Sequence, residues 1–234
     1  IGYTLFKNGY PAAYGGSWVF GKSAQFGLNI FETYRGGESG YMLCQLLRVY
    51  KQIFKLSSIE IDAYQFGRDN MDGIRSGAFW FYYRYGFLPI SKSLQTLALK
   101  EHNNIRSING YRTPEKTLIQ FTDSNMVLKF EKAIPLSYGA VYKKISKWIQ
   151  SKYRADRVLA IEKSTEQFLH IAKTTLQYDA AERDGGNEMA LMCHAMGWKR
   201  KKEVDLLLQI IRAKPRDPYC YNDLLIELFE MDHT

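Results

Sequence analysis

The most constraining feature of this sequence is a run of three strand-like segments, separated by tight turns, at the start of the chain. The segments are Tyr3–Lys7, Ala12–Phe20 and Phe26–Phe31, and the turns between them are Asn8-Gly9 and Gly21-Lys22. Two-residue turns of this kind join antiparallel neighbours. The pattern therefore predicts an antiparallel meander of three strands.

After the meander, the spacing of apolar residues changes to a helical period and then back to a strand period. A helix is predicted over Tyr41–Phe54, a strand over Ile59–Tyr64, and a second helix over Ile74–Tyr85, closed by Gly86. A strand, a helix and a returning strand form a crossover, which joins parallel neighbours. We therefore expect Phe26–Phe31 and the returning strand to form a parallel pair inside an otherwise antiparallel sheet.

Aromatic residues divide the chain into two regions. Of the 34 Phe, Trp and Tyr residues, 21 lie in residues 1–90 and 13 in the other 144. The sequence thus predicts an α+β chain, with a mixed, mostly antiparallel sheet and flanking helices in residues 1–90 and a mainly helical region in residues 91–234. The helices predicted in that region are Leu94–His102, Leu136–Gln150, Arg157–Tyr178, Glu188–Met196, Glu203–Ala213 and Pro218–Glu230.

Length and composition exclude several classes of protein. A chain of 234 residues that is 46% hydrophobic can bury a core, which excludes disorder as its main state. No apolar run approaches the roughly 18 residues that cross a bilayer, so we expect no membrane span. Three widely spaced cysteines without a CxxC pair favour a reducing, cytoplasmic location. Because the chain begins at Ile1 inside a strand-like segment, we also expect N-terminal elements to be missing from this sequence.

A glycine-rich loop connects the third predicted strand to the first predicted helix. Its residues are Arg35, Gly36, Gly37, Glu38, Ser39 and Gly40. At such a junction, unpaired backbone N–H groups and the positive end of the helix dipole favour an anion such as a phosphate. The loop by itself is a weak signal and favours the plainer interpretation, a tight turn in which Ser39 caps the helix.

A second segment, one strand further along the chain, favours the phosphate-binding interpretation. It runs from residue 73 to residue 87 and contains Ala78, then Tyr82 four residues on, then Gly86-Phe87. With the loop, this segment resembles the GNAT superfamily of acyltransferases. In that family a loop of the form R/Q-x-x-G-x-G/A precedes a helix, and Arg35 and Gly40 stand at its first and last positions. The resemblance covers about residues 1–90, beginning near the family's second strand.

The resemblance implies a function as well as a fold. The loop amides would hold the pyrophosphate of acetyl-CoA or another acyl-CoA, and the pantetheine arm would lie between the two parallel strands. The acceptor, a small-molecule or peptide amine, would attack the acyl thioester directly. By resemblance Tyr82 would protonate the leaving thiolate, although composition alone makes it one packed aromatic among several. Glu32 is the preferred base, because it ends the strand that leads into the loop; Glu60, Asp62 or a water molecule are the alternatives.

One loop residue departs from the family pattern. Glu38 stands where the family has its central glycine, and a carboxylate turned toward a pyrophosphate would repel it. We therefore expect either that the carboxylate points away, or that the donor differs from free acetyl-CoA. An acyl carrier protein is one such donor.

Other chemistries find less support in the sequence. The four histidines, His102, His170, His194 and His233, form no HxH or HxxxH pair, so no metal site is expected. Cys193 and His194 are adjacent on a predicted helix and point about 100° apart, which disfavours a nucleophile and base pair.

The charge pattern leaves a different class of function open. The net charge is +8, and a basic run at Lys199–Lys202 lies beside Trp198, as in some nucleic-acid-binding proteins. Residues 91–234 also hold 18 acidic residues against 23 basic ones, so solvated helix faces are the commoner interpretation. Three hypotheses result: an acyltransferase, an inactive GNAT-like binding module, and a nucleic-acid-binding protein. The helical region would complete the acceptor wall, cap the site or form a homodimer.

Overall fold

A computed structural model describes residues 1–131, 137–173 and 179–231. The chain divides into two compact units, Ile1–Pro135 and Leu136–Thr234. The described residues form a mixed α+β structure with a six-stranded, mostly antiparallel sheet and ten α-helices. The α+β class and the mostly antiparallel sheet are as the sequence predicted. No helix in these described ranges is long and apolar enough to cross a membrane.

The sheet belongs entirely to the first unit. Its strand order is β1-β2-β3-β4-β6-β5, and among these strands only β3 and β4 run parallel. The predicted meander and the parallel pair are both confirmed. The strands are β1 (Gly2–Lys7), β2 (Tyr10–Phe20), β3 (Ser23–Ile30), β4 (Ser58–Ile61), β5 (Leu88–Pro89) and β6 (Met126–Lys129).

Five helices complete the described part of the first unit: α1 (Ser39–Phe54), α2 (Met71–Arg75), α3 (Ala78–Arg84), α4 (Lys92–Ser107) and α5 (Glu115–Phe121). The predicted helix over residues 74–85 is in fact two short helices, because Gly77 adopts a left-handed conformation with φ of 67° between them. The predicted strand over residues 59–64 stops at Ile61. Asp62 then accepts a hydrogen bond from the Tyr64 N–H and begins a 3-10 turn over Ala63–Phe66.

Strand β6 carries the sheet well past residue 90. It inserts between β4 and β5, with Ile59 opposite Leu128 and Leu88 opposite Val127. The first compact unit therefore extends to residue 135, later than the compositional boundary at residue 90.

The core of the first unit is built by aromatic residues from the sheet and from α1, α3 and α5. Phe26 of β3 packs edge-on against Tyr50 of α1, with ring centroids 5.5 Å apart. Phe79 of α3 stacks on Phe121 of α5 at 3.9 Å, and both side chains are fully buried. This stacking joins α3 to α5, and both rings belong to the core that also contains Phe26 of β3 and Ile59 of β4.

The second unit is helical in its described residues. The helices are α6 (Tyr138–Tyr153), α7 (Arg157–Ile171), α8 (Ala180–Met196), α9 (Lys201–Ala213) and α10 (Pro218–Glu230). A helix is found at each place predicted here, but two bounds were wrong: α7 ends at Ile171, before the left-handed Lys173, and α8 begins at Ala180, where Asp179 and Glu182 form a capping box, and not at Glu188. The predicted ends at Leu136 and Tyr178 lie outside the described residues. Asp217 caps α10 by accepting hydrogen bonds from the N–H groups of Tyr219 and Cys220, each at 3.0 Å.

Candidate functional site

The candidate site begins in the loop that joins β3 to α1. After β3 the chain makes a 3-10 turn over Glu32–Tyr34, and α1 starts at Ser39. The Ser39 hydroxyl oxygen accepts a hydrogen bond from the Gly36 N–H at 3.1 Å, while the Ser39 N–H donates to the Gly36 C=O at 3.2 Å. Ser39 therefore closes the loop on itself, but it does not cap α1 as the sequence suggested: Ser39 is already the first helical residue, and the N-cap residue is Glu38, whose side chain makes no capping hydrogen bond.

This closed loop leaves several backbone donors free. Within the described residues, no acceptor is hydrogen-bonded to the N–H groups of Gly37, Glu38, Gly40 or Tyr41. All four lie at the N-terminal end of a helix of 16 residues, where the helix dipole adds positive potential. The loop can thus bind an anion through its main chain, and its side chains need not be basic.

The Glu38 carboxylate forms an ion pair with Lys7, the last residue of β1. The Lys7 ammonium donates to both carboxylate oxygens, at 2.5 and 2.6 Å. Both side chains are exposed, so the pair is screened and holds the carboxylate only modestly. Lys7 therefore offsets part of the Glu38 charge, while the expectation that the carboxylate points away from a bound pyrophosphate stays a prediction.

Gly40 is the point where Tyr85, the residue that directly follows α3, contacts the start of α1. A Cβ atom added at Gly40 would lie 1.6 Å from the hydroxyl oxygen of Tyr85 and 2.6 Å from its ring carbon Cζ. The absence of a side chain at Gly40 thus allows the Tyr85 hydroxyl to lie against the main chain at the start of α1. Sequence reasoning missed Tyr85, although its spacing of three residues from Tyr82 on one helix was a usable signal.

The parallel strands β3 and β4 stop pairing before β3 ends. Pairing between β3 and β4 ends with Phe26 opposite Ile61, yet β3 continues to Ile30. The chain leaves β4 at Asp62 and turns into the 3-10 segment. The last residues of β3 therefore present one main-chain edge without a neighbouring strand.

The direction of that edge follows from the alternation along β3. The Phe31 N–H donates to the Ala12 C=O on the β2 side, so the main-chain groups of Leu28 and Ile30 face the β4 side. On that side the Ile30 C=O accepts from the Arg35 Nε at 3.0 Å. The Leu28 C=O and the Ile30 N–H have no partner among the described residues. An extended ligand with amide groups would complement this edge.

Tyr82 lies on α3 and is almost completely buried. Its ring packs against Phe81 and Phe87, with centroids 5.3 and 5.6 Å away. Burial raises the pKa of Tyr82 well above its usual value, and the phenol of Tyr3 is close enough for the two groups to interact electrostatically. Tyr82 therefore stays protonated through neutral and mildly alkaline pH, which suits a proton donor.

The three acidic candidates have different surroundings. The Glu60 carboxylate accepts from the Asn125 side chain at 2.7 Å, and Asp62 accepts from the Gln25 side chain at 3.2 Å. Glu32 is exposed, and within the described part of the chain its carboxylate has no partner. Glu32 is thus the most available base of the three. No hydrogen bond joins it to Tyr82 in those residues.

The second unit holds the remaining chemical candidates. Cys193 is buried and its thiol donates to the Trp198 C=O at 3.1 Å, while His194 stacks on Trp148 and contacts the Ser164 C=O through Nε2 at 3.2 Å. Packing therefore accounts for both residues. No group of three or more His, Cys, Asp or Glu residues in the described ranges is arranged to hold a metal ion, and His233 lies outside those ranges.

Comparison with known proteins adds no further assignment. Neither protein-family models, nor curated proteins, nor solved structures give a match to this chain.

Proposed function

We propose that this protein is an acyltransferase with a GNAT-like core, which transfers an acyl group from an acyl-CoA to an amine. One observation carries the proposal: the loop with four free N–H groups comes shortly after the last residues of β3, which continue beyond the parallel pairing with β4 and present an unpaired edge. An anion site and an unpaired strand edge lie next to each other in the chain. Coenzyme A has the matching parts, a pyrophosphate joined to an arm that contains amides.

Donor binding would use the main chain more than charged side chains. The amides of Gly37, Glu38, Gly40 and Tyr41 would hold the pyrophosphate, with the dipole of α1 adding to the attraction. Because Lys7 offsets part of the Glu38 charge, a free acyl-CoA is the first donor to test, ahead of an acyl carrier protein. Acetyl-CoA is the simplest member of that class.

The chemical step would be direct transfer. The acceptor nitrogen attacks the thioester carbonyl, a C–N bond forms, the C–S bond breaks, and the thiolate leaves with the electron pair. Tyr82 would give its proton to that thiolate, since its raised pKa keeps it protonated at neutral pH. The proton released by the acceptor would pass to Glu32 or to water.

Two measurements test the proposal. Isothermal titration with acetyl-CoA and longer acyl-CoAs should show binding, and its absence for all of them would refute the donor assignment. Tyr82→Phe should then lower the acyl-transfer rate about 100-fold or more, which is typical for loss of a general acid. Tyr83→Phe, on the same helix, is the matched control and should change the rate little.

The inactive binding module is separated from the enzyme by the same pair of variants. If acyl-CoA binds but no rate is measured with any amine, or Tyr82→Phe leaves the rate unchanged, catalysis by Tyr82 is refuted.

No observation on the described residues favours the nucleic-acid hypothesis. Arg200, within the basic run, donates to Glu203 at 2.9 Å, and the Lys199 N–H donates to the same carboxylate at 2.8 Å, so part of this run caps α9.

A further inference from the structure

The unpaired edge of β3 is partly covered by two side chains, Arg35 at the Ile30 C=O and Gln65 at the Leu28 N–H. Gln65 lies in the 3-10 turn that follows β4, and its side chain reaches back to the neighbouring strand. The Leu28 N–H donates a hydrogen bond to Gln65 Oε1 at 3.2 Å. The contact spans 37 residues of sequence, so it depends on the tertiary fold.

Gly27 lets the Gln65 carboxamide approach the main chain of β3. A Cβ atom added at Gly27 would lie 3.3 Å from Gln65 Nε2 and 3.6 Å from Gln65 Cδ. The first of these distances is tighter than most contacts that real Cβ atoms make. The carboxamide thus lies directly against β3, beyond the last residue that pairs with β4.

A carboxamide is chemically close to the ligand that the proposed function requires. The pantetheine arm of coenzyme A contains two secondary amides, each with one C=O acceptor and one N–H donor. Gln65 presents the same C=O acceptor to the Leu28 N–H. The same N–H cannot donate strongly to both groups, so the arm and the side chain compete for one position.

We infer that Gln65 occupies the place of the donor's arm in the ligand-free protein and is displaced when the donor binds. The inference rests on the proposed acyl-CoA function. Gln65 is then a positioning residue that lowers the affinity for the arm and keeps the strand edge paired in its absence. Its half-buried side chain needs only rotation about its own bonds to clear the edge.

The test compares Gln65→Ala with the unmodified protein in titrations with coenzyme A. Removing one competing neutral hydrogen bond should lower the Kd for coenzyme A about 5-fold. The Kd for adenosine 3′-phosphate 5′-diphosphate, the nucleotide part of coenzyme A without the arm, should not change. Gln52→Ala, an exposed glutamine on α1, is the matched control and should change neither value. An unchanged or raised Kd for coenzyme A in Gln65→Ala would overturn the inference.

A second readout needs no ligand. Amide hydrogen exchange at Leu28 should be faster in Gln65→Ala than in the unmodified protein, because the N–H loses its acceptor. Equal exchange rates would also overturn the inference. If neither coenzyme A nor its nucleotide part binds to either protein, the proposed function fails and the inference fails with it. If both bind and Gln65→Ala has no effect, only the inference fails.

Discussion

The contact between Gly40 and Tyr85 leads to a quantitative prediction about the loop. In Gly40→Ala the new Cβ atom would lie 1.6 Å from the Tyr85 hydroxyl oxygen, whereas ordinary contact begins at 3.4 Å. The rigid ring of Tyr85 must therefore move by nearly 2 Å, or α3 must shift away from α1. Overpacking of this kind typically costs about 1–3 kcal/mol. We expect the free energy of unfolding of the first unit to fall by that amount.

Gly37→Ala is the matched control for this prediction. Gly37 lies in the same loop, its φ is not in the left-handed region, and an added Cβ would meet nothing within 4 Å. Its effect should stay within about 0.5 kcal/mol. Urea unfolding followed by tryptophan fluorescence, with Trp80 beside Tyr83 as a local reporter, measures both variants.

A double variant isolates the contact itself. Tyr85→Ala removes the ring that the new Cβ would strike, so Gly40→Ala should cost much less in that background. The coupling free energy should be about 1 kcal/mol or more in the relieving direction. If Gly40→Ala and Gly37→Ala destabilise equally, or if Gly40→Ala and Tyr85→Ala are additive, Tyr85 does not lie against the loop and the account of the site is wrong.

Two further predictions concern charge. Glu38→Gln should lower the Kd for coenzyme A about 3-fold at low ionic strength, because it removes a negative charge near the loop and releases Lys7. This gain in affinity should shrink as salt is added, and a raised Kd would contradict the prediction. Burial raises the pKa of Tyr3 and Tyr82 above that of an unfolded tyrosine, so the folded protein retains protons that the unfolded chain releases above about pH 10. The free energy of unfolding should therefore fall as the pH rises past 10, less steeply in Tyr82→Phe than in a Tyr41→Phe control, and equal slopes would contradict the assignment.

The local elements of the sheet could be predicted because their signals lie within a few residues. Turn residues such as Asn8-Gly9 and alternation along β2 and β3 define strands locally. The crossover through α1 then requires the parallel pair: the helix carries the chain back to the end of the sheet where β3 began, so β4 runs in the same direction as β3.

Other parts of the fold could not be predicted in this way. Met126–Lys129 is only four residues long, and nothing near it in the sequence indicates that it pairs with β4. Strand pairing at that separation is decided by packing in the whole unit. Gly77 ends one helix and starts another through its left-handed φ, which a helical spacing of apolar residues does not reveal.

The candidate site also has a part that the sequence could predict and a part that it could not. The sequence alone determined a glycine-rich turn at a helix start, because glycine and serine spacing encodes local main-chain geometry. Only the tertiary structure decided what surrounds that turn: Lys7 on Glu38, Tyr85 on Gly40, and Gln65 on the free edge of β3. The physical reason is that each of these contacts joins residues from different elements. Their meeting depends on how the sheet and helices pack, which no local pattern specifies.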